Sequence, residues 1–104
     1  MSERSEASIC IPKDHPALPG HFPGMPIVPG VVVLDEVWRA AEERLGRPLR
    51  IAGLSHVKFL SPLLPGQPAR CTFGIEGARL AFRVELAGQL IAGGAFALGE
   101  DRTG

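Results

Sequence analysis

Aromatic side chains are scarce in this sequence of 104 residues, which has one tryptophan, five phenylalanines and no tyrosine. Aliphatic residues and alanine must therefore supply most of the core, and at this length only roughly 60–65% of the unfolded surface is buried on folding. A chain of this length fits one small domain over residues 1–104. Because its core is thin, we expect association into a dimer or higher oligomer. We expect the ends, residues 1–6 and 99–104, to be flexible.

An excess of charge of either sign is also missing, since eleven basic residues balance eleven acidic ones. This balance argues against nucleic acid as a partner, because nonspecific binding needs a broad positive field. No apolar run approaches the ~20 residues that span a bilayer, and Met1–Ser8 does not resemble a signal peptide. The two cysteines, Cys10 and Cys71, lack metal-ligand spacing and read as buried small hydrophobes in a reducing cytoplasm.

Proline and glycine are abundant, with ten and thirteen residues. Six of the prolines fall between Pro12 and Pro29, which predicts a rigid loop without regular structure. From Gly30 to about Leu45 the apolar residues recur at helical spacing, and Gly46 followed by Pro48 ends the predicted helix. Its first turn, residues 31–34, is apolar all round, so we expect its N-terminal half to be buried on every side.

The remaining apolar residues alternate with polar ones, which is typical of strands. We predict a short strand over Ala7–Ile11 and a longer one over Ile51–Leu60. Glycine turns then separate three further strands, which should pair antiparallel in sequence order, over residues 69–76, 79–86 and 90–98. One long helix followed by an antiparallel meander predicts an α+β fold with the sheet wrapped around the helix.

Two titratable residues stand out in this framework. Asp35 lies on an apolar stretch of the predicted helix, where a carboxylate is costly to bury without a partner. His21 lies on the loop between two Pro-Gly pairs, which restrict the backbone and hold the imidazole in place. A neutral imidazole suits proton abstraction at neutral pH, so the two residues are an acid/base candidate. The alternatives are an Asp that caps a loop or faces solvent, and a histidine that only packs.

A third candidate element is Pro29-Gly30 at the predicted helix start. Free backbone N–H groups at the positive end of a helix dipole can polarise a carbonyl and stabilise a developing enolate. The simpler alternative is a helix cap. His15 and His21 lack the further ligands of a metal site, so we expect no metal or redox cofactor. His56 and Lys58 share one strand face, which we expect to be solvated or an interface edge.

The stretch from Gly20 to Asp35, GHFPGMPIVPGVVVLD, resembles the signature of the 3-hydroxyacyl-[acyl-carrier-protein] dehydratases, which have the hotdog fold. The stretch from Val57 to Gly66, VKFLSPLLPG, is similar to the second recurring segment of that family. The resemblance covers roughly residues 8–98. Within the family, the short length resembles the dehydratases of aryl-polyene-type pathways.

This resemblance implies a function in fatty-acid or polyene biosynthesis: dehydration of a 3-hydroxyacyl thioester, carried on the 4′-phosphopantetheine arm of an acyl carrier protein, to the trans-2-enoyl thioester. His21 would be the catalytic histidine, Asp35 the catalytic acid position, and the Gly30 N–H the donor to the thioester carbonyl. In the family the histidine and the carboxylate of one site come from opposite subunits, so dimerisation would be part of catalysis. The other residues that the resemblance places at the substrate are Phe22, Pro29 and Val31.

Two departures from the family pattern keep alternatives open. Full-length members carry a further helix and strand ahead of the segment that begins near Ala7, and Gln67 stands where the second stretch usually has Asp. The alternatives are a hotdog thioesterase, which shares the architecture, and a non-catalytic partner subunit in a heterodimer with another hotdog chain. A basic set would meet the acidic carrier protein or the pantetheine phosphate, or else be a solvated face. It comprises Arg39, Arg44, Arg47, Arg50, Lys58 and Arg70.

Overall fold

The computed structural model describes residues 4–15 and 28–99 as one sheet and one helix. In chain order the elements are β1 (Arg4–Ile9), α1 (Gly30–Leu45), β2 (Ile51–Phe59), β3 (Ala69–Glu76), β4 (Arg79–Leu86) and β5 (Gln89–Leu98). The five strands form one antiparallel sheet in the order β1-β3-β4-β5-β2. The predicted α+β fold and the sequential pairing of the last three strands are confirmed.

One face of the sheet is dry because apolar residues alternate along its central strands. On β4, Leu80, Phe82 and Val84 are buried, whereas Arg79 and Arg83 on the other face are exposed. The Phe82 ring lies against the ring of Phe96 on β5, with 5.3 Å between centroids. The dry face joins the helix in one core cluster, in which α1 buries Val32, Val33, Val37 and Ala41.

Helix α1 has the predicted bounds. It begins after Pro29, whose backbone is extended, and ends at Gly46, whose φ of 70° only glycine adopts easily and whose N–H bonds the Glu42 carbonyl at 2.9 Å. The expectation that its first turn is buried on every side is wrong, because Val31 is 72% exposed. The core covers one side of the helix, and Val31 points away from the side that buries Val32 and Val33.

Strand β1 differs from the prediction at both ends. It begins at Arg4 rather than Ala7, and it ends at Ile9 rather than Ile11. Residues 4–6, which we expect to be flexible, thus lie in a strand of the sheet. Two non-local interactions, which no local pattern reveals, hold them: Glu6 lies opposite Thr72 of β3, and the Arg44 guanidinium donates two hydrogen bonds to the Glu6 carbonyl, at 2.9 and 2.6 Å.

Strand β2 lies at an edge of the sheet and contains an irregularity. Its pairing with β5 shifts between Ser55 and Lys58, and His56 within the shift has a φ of 53°. Gly94 of β5 faces this bulge so closely that a β-carbon on it would lie 2.7 Å from Val57 Cα. The glycine therefore lets the bulged strand approach.

No helix within residues 4–15 and 28–99 is long and apolar enough to cross a bilayer.

Candidate functional site

The two motif segments of the sequence meet at the start of α1. The Val28 N–H donates to the Leu63 carbonyl at 2.8 Å, and the Leu60 N–H donates to the Ile91 carbonyl at 2.8 Å, which fixes the segment after β2 against both the helix and β5. The ring of Phe59 lies on Gly30, so a β-carbon on Gly30 would be 2.8 Å from Phe59 Cζ. A side chain on Gly30 would therefore displace the Phe59 ring.

The first four backbone N–H groups of α1 differ in whether a described residue accepts from them. The N–H groups of Val32 and Val33 both donate to the Pro29 carbonyl, at 3.0 and 3.2 Å. Among the described residues, the N–H groups of Gly30 and Val31 have no acceptor, as expected for the first two positions of a helix. Pro29 supplies no side-chain cap. Within residues 4–15 and 28–99, no protein acceptor therefore competes with a ligand oxygen for the N–H groups of Gly30 and Val31.

An apolar recess of about 360 Å³ opens beside these donors. Gly30 and Phe59 form one wall, and the side chains of the core and of the segment after β2 form the rest. Its other lining residues are Val28, Val33, Leu60, Ser61, Pro62, Leu63 and Ile91. A recess with apolar walls and the N–H donor of Gly30 suits a ligand with an apolar chain and one polar oxygen.

Asp35 lies on the exposed side of α1. Its carboxylate Oδ2 is 3.1 Å from Nε of Arg39 one turn later, and the side chains of Asp35 and Arg39 are 42% and 70% exposed. Val31, one turn earlier, is on the same helix face. The carboxylate is therefore paired and half-covered, unlike the costly buried Asp that the surrounding valines suggest, and it is open to a partner or a substrate.

His21 and Phe22 lie within residues 16–27, outside the described part of the chain, so the pairing of His21 with Asp35 remains a prediction. Within the described ranges, no group of three His, Cys, Asp or Glu side chains is placed to hold a metal ion. Any relation between His15 and His21 likewise remains untested, because His21 is outside the described residues.

A larger recess, about 550 Å³, lies at the other end of the sheet, between β1, the end of α1 and β3. It contains none of the predicted site residues. Charged side chains line it, including Glu6, Arg44, Arg70 and Glu85. A wall of mixed charge suits an apolar acyl chain poorly, so the smaller recess at Gly30 is the better candidate despite its size.

Sequence reasoning missed Phe59, although it lies in the second motif segment. Its contact with Gly30 joins residues far apart in the chain, and the VKF stretch was the available signal. Gln67, which replaces the usual Asp, accepts a hydrogen bond from the Leu64 N–H through Oε1 at 3.1 Å and so holds the turn after β2. His56 and Lys58 are exposed on the edge strand, as predicted.

The two cysteines differ from each other. Both are free thiols, but Cys10 is exposed, contrary to the prediction, because it follows the end of β1. Cys71 is buried as predicted, and burial raises its pKa to about 12. The Cys71 thiol is therefore unreactive near neutral pH and takes no part in a site.

Known proteins resemble this chain in sequence and in fold. Residues 1–95 match the family described as ApeI-like, ApeI dehydratase. The chain is 36% identical over 78 residues to the 3-hydroxyacyl-[acyl-carrier-protein] dehydratase FabZ of Thermus thermophilus, covering 67% of this chain and 52% of that protein. The Chlamydia trachomatis FabZ is 40% identical over 62 residues, covering 51% of this chain and 40% of that protein. The chain thus spans about half the length of the curated relatives it matches.

Solved structures extend the likeness over the whole chain. The dehydratase heterocomplex ApeI:P from Xenorhabdus doucetiae matches with a TM-score of 0.82 at 25% identity, covering 96% of this chain and 95% of that one. An uncharacterized protein from Erwinia carotovora subsp. atroseptica matches with a TM-score of 0.80 at 27% identity, covering 94% and 84%. The predicted hotdog fold is confirmed, and the chain belongs to the ApeI-like dehydratase family.

Proposed function

We propose that this chain dehydrates a 3-hydroxyacyl thioester to the trans-2-enoyl thioester. The observation that carries the proposal is the Gly30 N–H, which has no acceptor among the described residues and lies at an apolar recess suited to a thioester oxygen and its acyl chain. The family and the FabZ relatives support the same reaction class. The substrate would be delivered on the 4′-phosphopantetheine of an acyl carrier protein, with no metal or redox cofactor.

The chemistry needs one base, one group at the leaving hydroxyl and one oxyanion donor. His21 removes the α-proton, and the Gly30 N–H stabilises the negative charge that develops on the thioester oxygen. The C2–C3 double bond forms as the C3–O bond breaks, and Asp35, as an acid or through a held water, assists departure of the hydroxyl as water. The C2 proton ends on His21 and the leaving hydroxyl takes its proton from the Asp35 side, so His21 must return one proton to Asp35, directly or through solvent, before the next cycle.

Product identity tests this proposal against hydrolysis. Purified protein is incubated with 3-hydroxyacyl carrier protein, and mass spectrometry of the carrier follows the acyl group. We expect the loss of one water from an intact thioester, and the reverse addition when the enoyl form is supplied. Release of free carrier thiol without dehydration would instead identify a thioesterase.

We further propose that the site forms between two subunits. Large apolar side chains remain exposed at the start of α1 and along and just after the edge strand β2: Val31, Leu54, Phe59 and Leu60. A single chain leaves this surface in water, and an associated hotdog subunit would cover it. The partner is a second copy of this chain or another hotdog subunit. We also propose a cytoplasmic location, consistent with two free thiols.

Complementation tests the shared site. His21→Ala and Asp35→Asn variants are inactive alone, but a reassembled equimolar mixture contains dimers with one site that keeps both groups. We expect about a quarter of wild-type turnover in the mixture of a homodimeric enzyme. If the subunits are shown to exchange and no turnover is recovered, both groups of a site lie on one chain.

A non-catalytic partner role is the second candidate, and the likeness to a dehydratase heterocomplex favours it. In that case the chain alone is inactive and activity appears only when a longer hotdog dehydratase is added. Asp35→Asn in this chain separates the two roles, because it lowers the activity of the complex only where this chain supplies a catalytic group.

A further inference from the structure

We propose that Arg39 is a positioning residue of the candidate site, which holds the Asp35 carboxylate by one oxygen and leaves the other for the substrate or a held water. This inference rests on the proposed function for its kinetic consequence. The observation behind it is the ion pair between Arg39 Nε and Asp35 Oδ2, 3.1 Å apart. Through this contact Oδ2 is engaged, and Oδ1 is left to accept from elsewhere.

Among the described neighbours of Asp35 on α1, none substitutes for Arg39. Asp35 is the sixth residue of α1, beyond the first four positions whose N–H groups are free to hold a carboxylate. One turn earlier on the same face is Val31, which has no polar side chain. Trp38 on the next turn has an indole N–H, but this group is buried and without a hydrogen-bond partner in the part of the chain that the structure describes.

The chemistry of arginine suits this role better than that of a neutral residue. The guanidinium is planar and always charged, so its Nε can hold one carboxylate oxygen by a charge-assisted contact while the other oxygen stays open. Because both side chains are substantially exposed, the pair contributes little to folding. A substitution at Arg39 should therefore change the site while leaving the fold intact.

Kinetics on Arg39→Gln, Arg39→Lys, Asp35→Asn and the double variant Asp35→Asn/Arg39→Gln test the role. We expect Arg39→Gln to lower kcat about 10- to 100-fold with little change in KM, and Arg39→Lys to restore part of the loss. In the Asp35→Asn background, Arg39→Gln should have no further effect, because its action passes through Asp35. The matched control is Arg83→Gln, which removes a similarly exposed ion pair, with Glu85 at 3.4 Å, and should leave kcat unchanged.

A second measurement decides the proposal independently of turnover. Three-bond NMR couplings of the Asp35 β-protons should report one χ1 rotamer in the active assembly and rotamer averaging in Arg39→Gln. Rotamer averaging already in the wild type would overturn the proposal. So would a kcat of Arg39→Gln equal to that of Arg83→Gln. A double variant whose kcat falls below that of Asp35→Asn by the full Arg39→Gln factor would also overturn it. A wild type that is inactive both alone and with a hotdog partner would refute the proposed function, and the couplings would still decide whether Arg39 positions Asp35.

Discussion

The ring of Phe59 occupies the space that a β-carbon on Gly30 would need, with Phe59 Cζ 2.8 Å from that position. Phe59 belongs to the strand after the helix and Gly30 to the helix start, so this contact fixes the two motif segments relative to each other. It also sets the ring at the wall of the recess beside the free N–H groups. The dimensions of the candidate site therefore depend on this pair.

Gly30→Ala should push the Phe59 ring into the recess. Since the ring is the far end of a flexible side chain, the free energy of unfolding should change by less than about 1 kcal/mol. Turnover should fall by roughly tenfold or more, because the displaced ring obstructs the oxyanion donors. Thermal unfolding and steady-state kinetics measure the two effects. Gly53→Ala, with open space around the new methyl group, is the control.

The smaller side chain of Phe59→Leu should restore turnover to Gly30→Ala, because it makes room for the new methyl group. If Gly30→Ala alone is fully active, or if Phe59→Leu worsens it, the contact does not shape the site.

Gly94→Ala should destabilise the fold by about 1–3 kcal/mol, because its β-carbon would meet the backbone of the bulge at Val57, which cannot move as a side chain can. Gly93→Ala is the matched control on the same strand, since its β-carbon would lie 3.6 Å from the nearest atom, an ordinary contact. Chemical denaturation measures both. Equal stabilities for the two variants would show that the bulge at His56 does not require glycine opposite it.

Burial of Cys71 makes stability depend on pH in the alkaline range. Its pKa is raised from 9.0 to about 12 in the folded protein, so the unfolded chain loses this proton first as the pH rises. The contribution is fully present below pH 9 and is lost progressively between pH 9 and about 12. Urea denaturation of wild type and Cys71→Ala across this range should show a steeper alkaline loss in the wild type. Parallel pH profiles would contradict the assignment.

The local elements of the fold could be read from the sequence because their signals are local. Gly30 and Gly46 delimit the helix through backbone effects at those positions, and the glycine turns around Gly77 and Gly88 delimit the hairpins. The start of β1 at Arg4 was missed because its pairing partner is β3, far along the chain. The same limit applies to the placement of β2 beside β5, and to the bulge opposite Gly94.

Only those parts of the candidate site that a single residue type marks in the sequence could be predicted. Gly30 is at the helix start as predicted, whereas Asp35 is half-exposed and not buried among the valines around it in sequence. The exposure of Val31 was not predicted, because a helical turn that is apolar all round does not reveal which of its sides packs against the core. Arg39 was assigned to a carrier-binding or solvated set, although an Asp and an Arg four residues apart on a helix are neighbours.

The most direct test of the account is the initial rate of enoyl thioester formation from 3-hydroxyacyl carrier protein by wild type, His21→Ala and Asp35→Asn in the same assembled state. The account predicts activity in the wild type and a loss of about 10²- to 10⁴-fold in each variant, with unchanged thermal unfolding. Wild-type rates in both variants, or an inactive wild type whether assayed alone or with a hotdog partner, would contradict it.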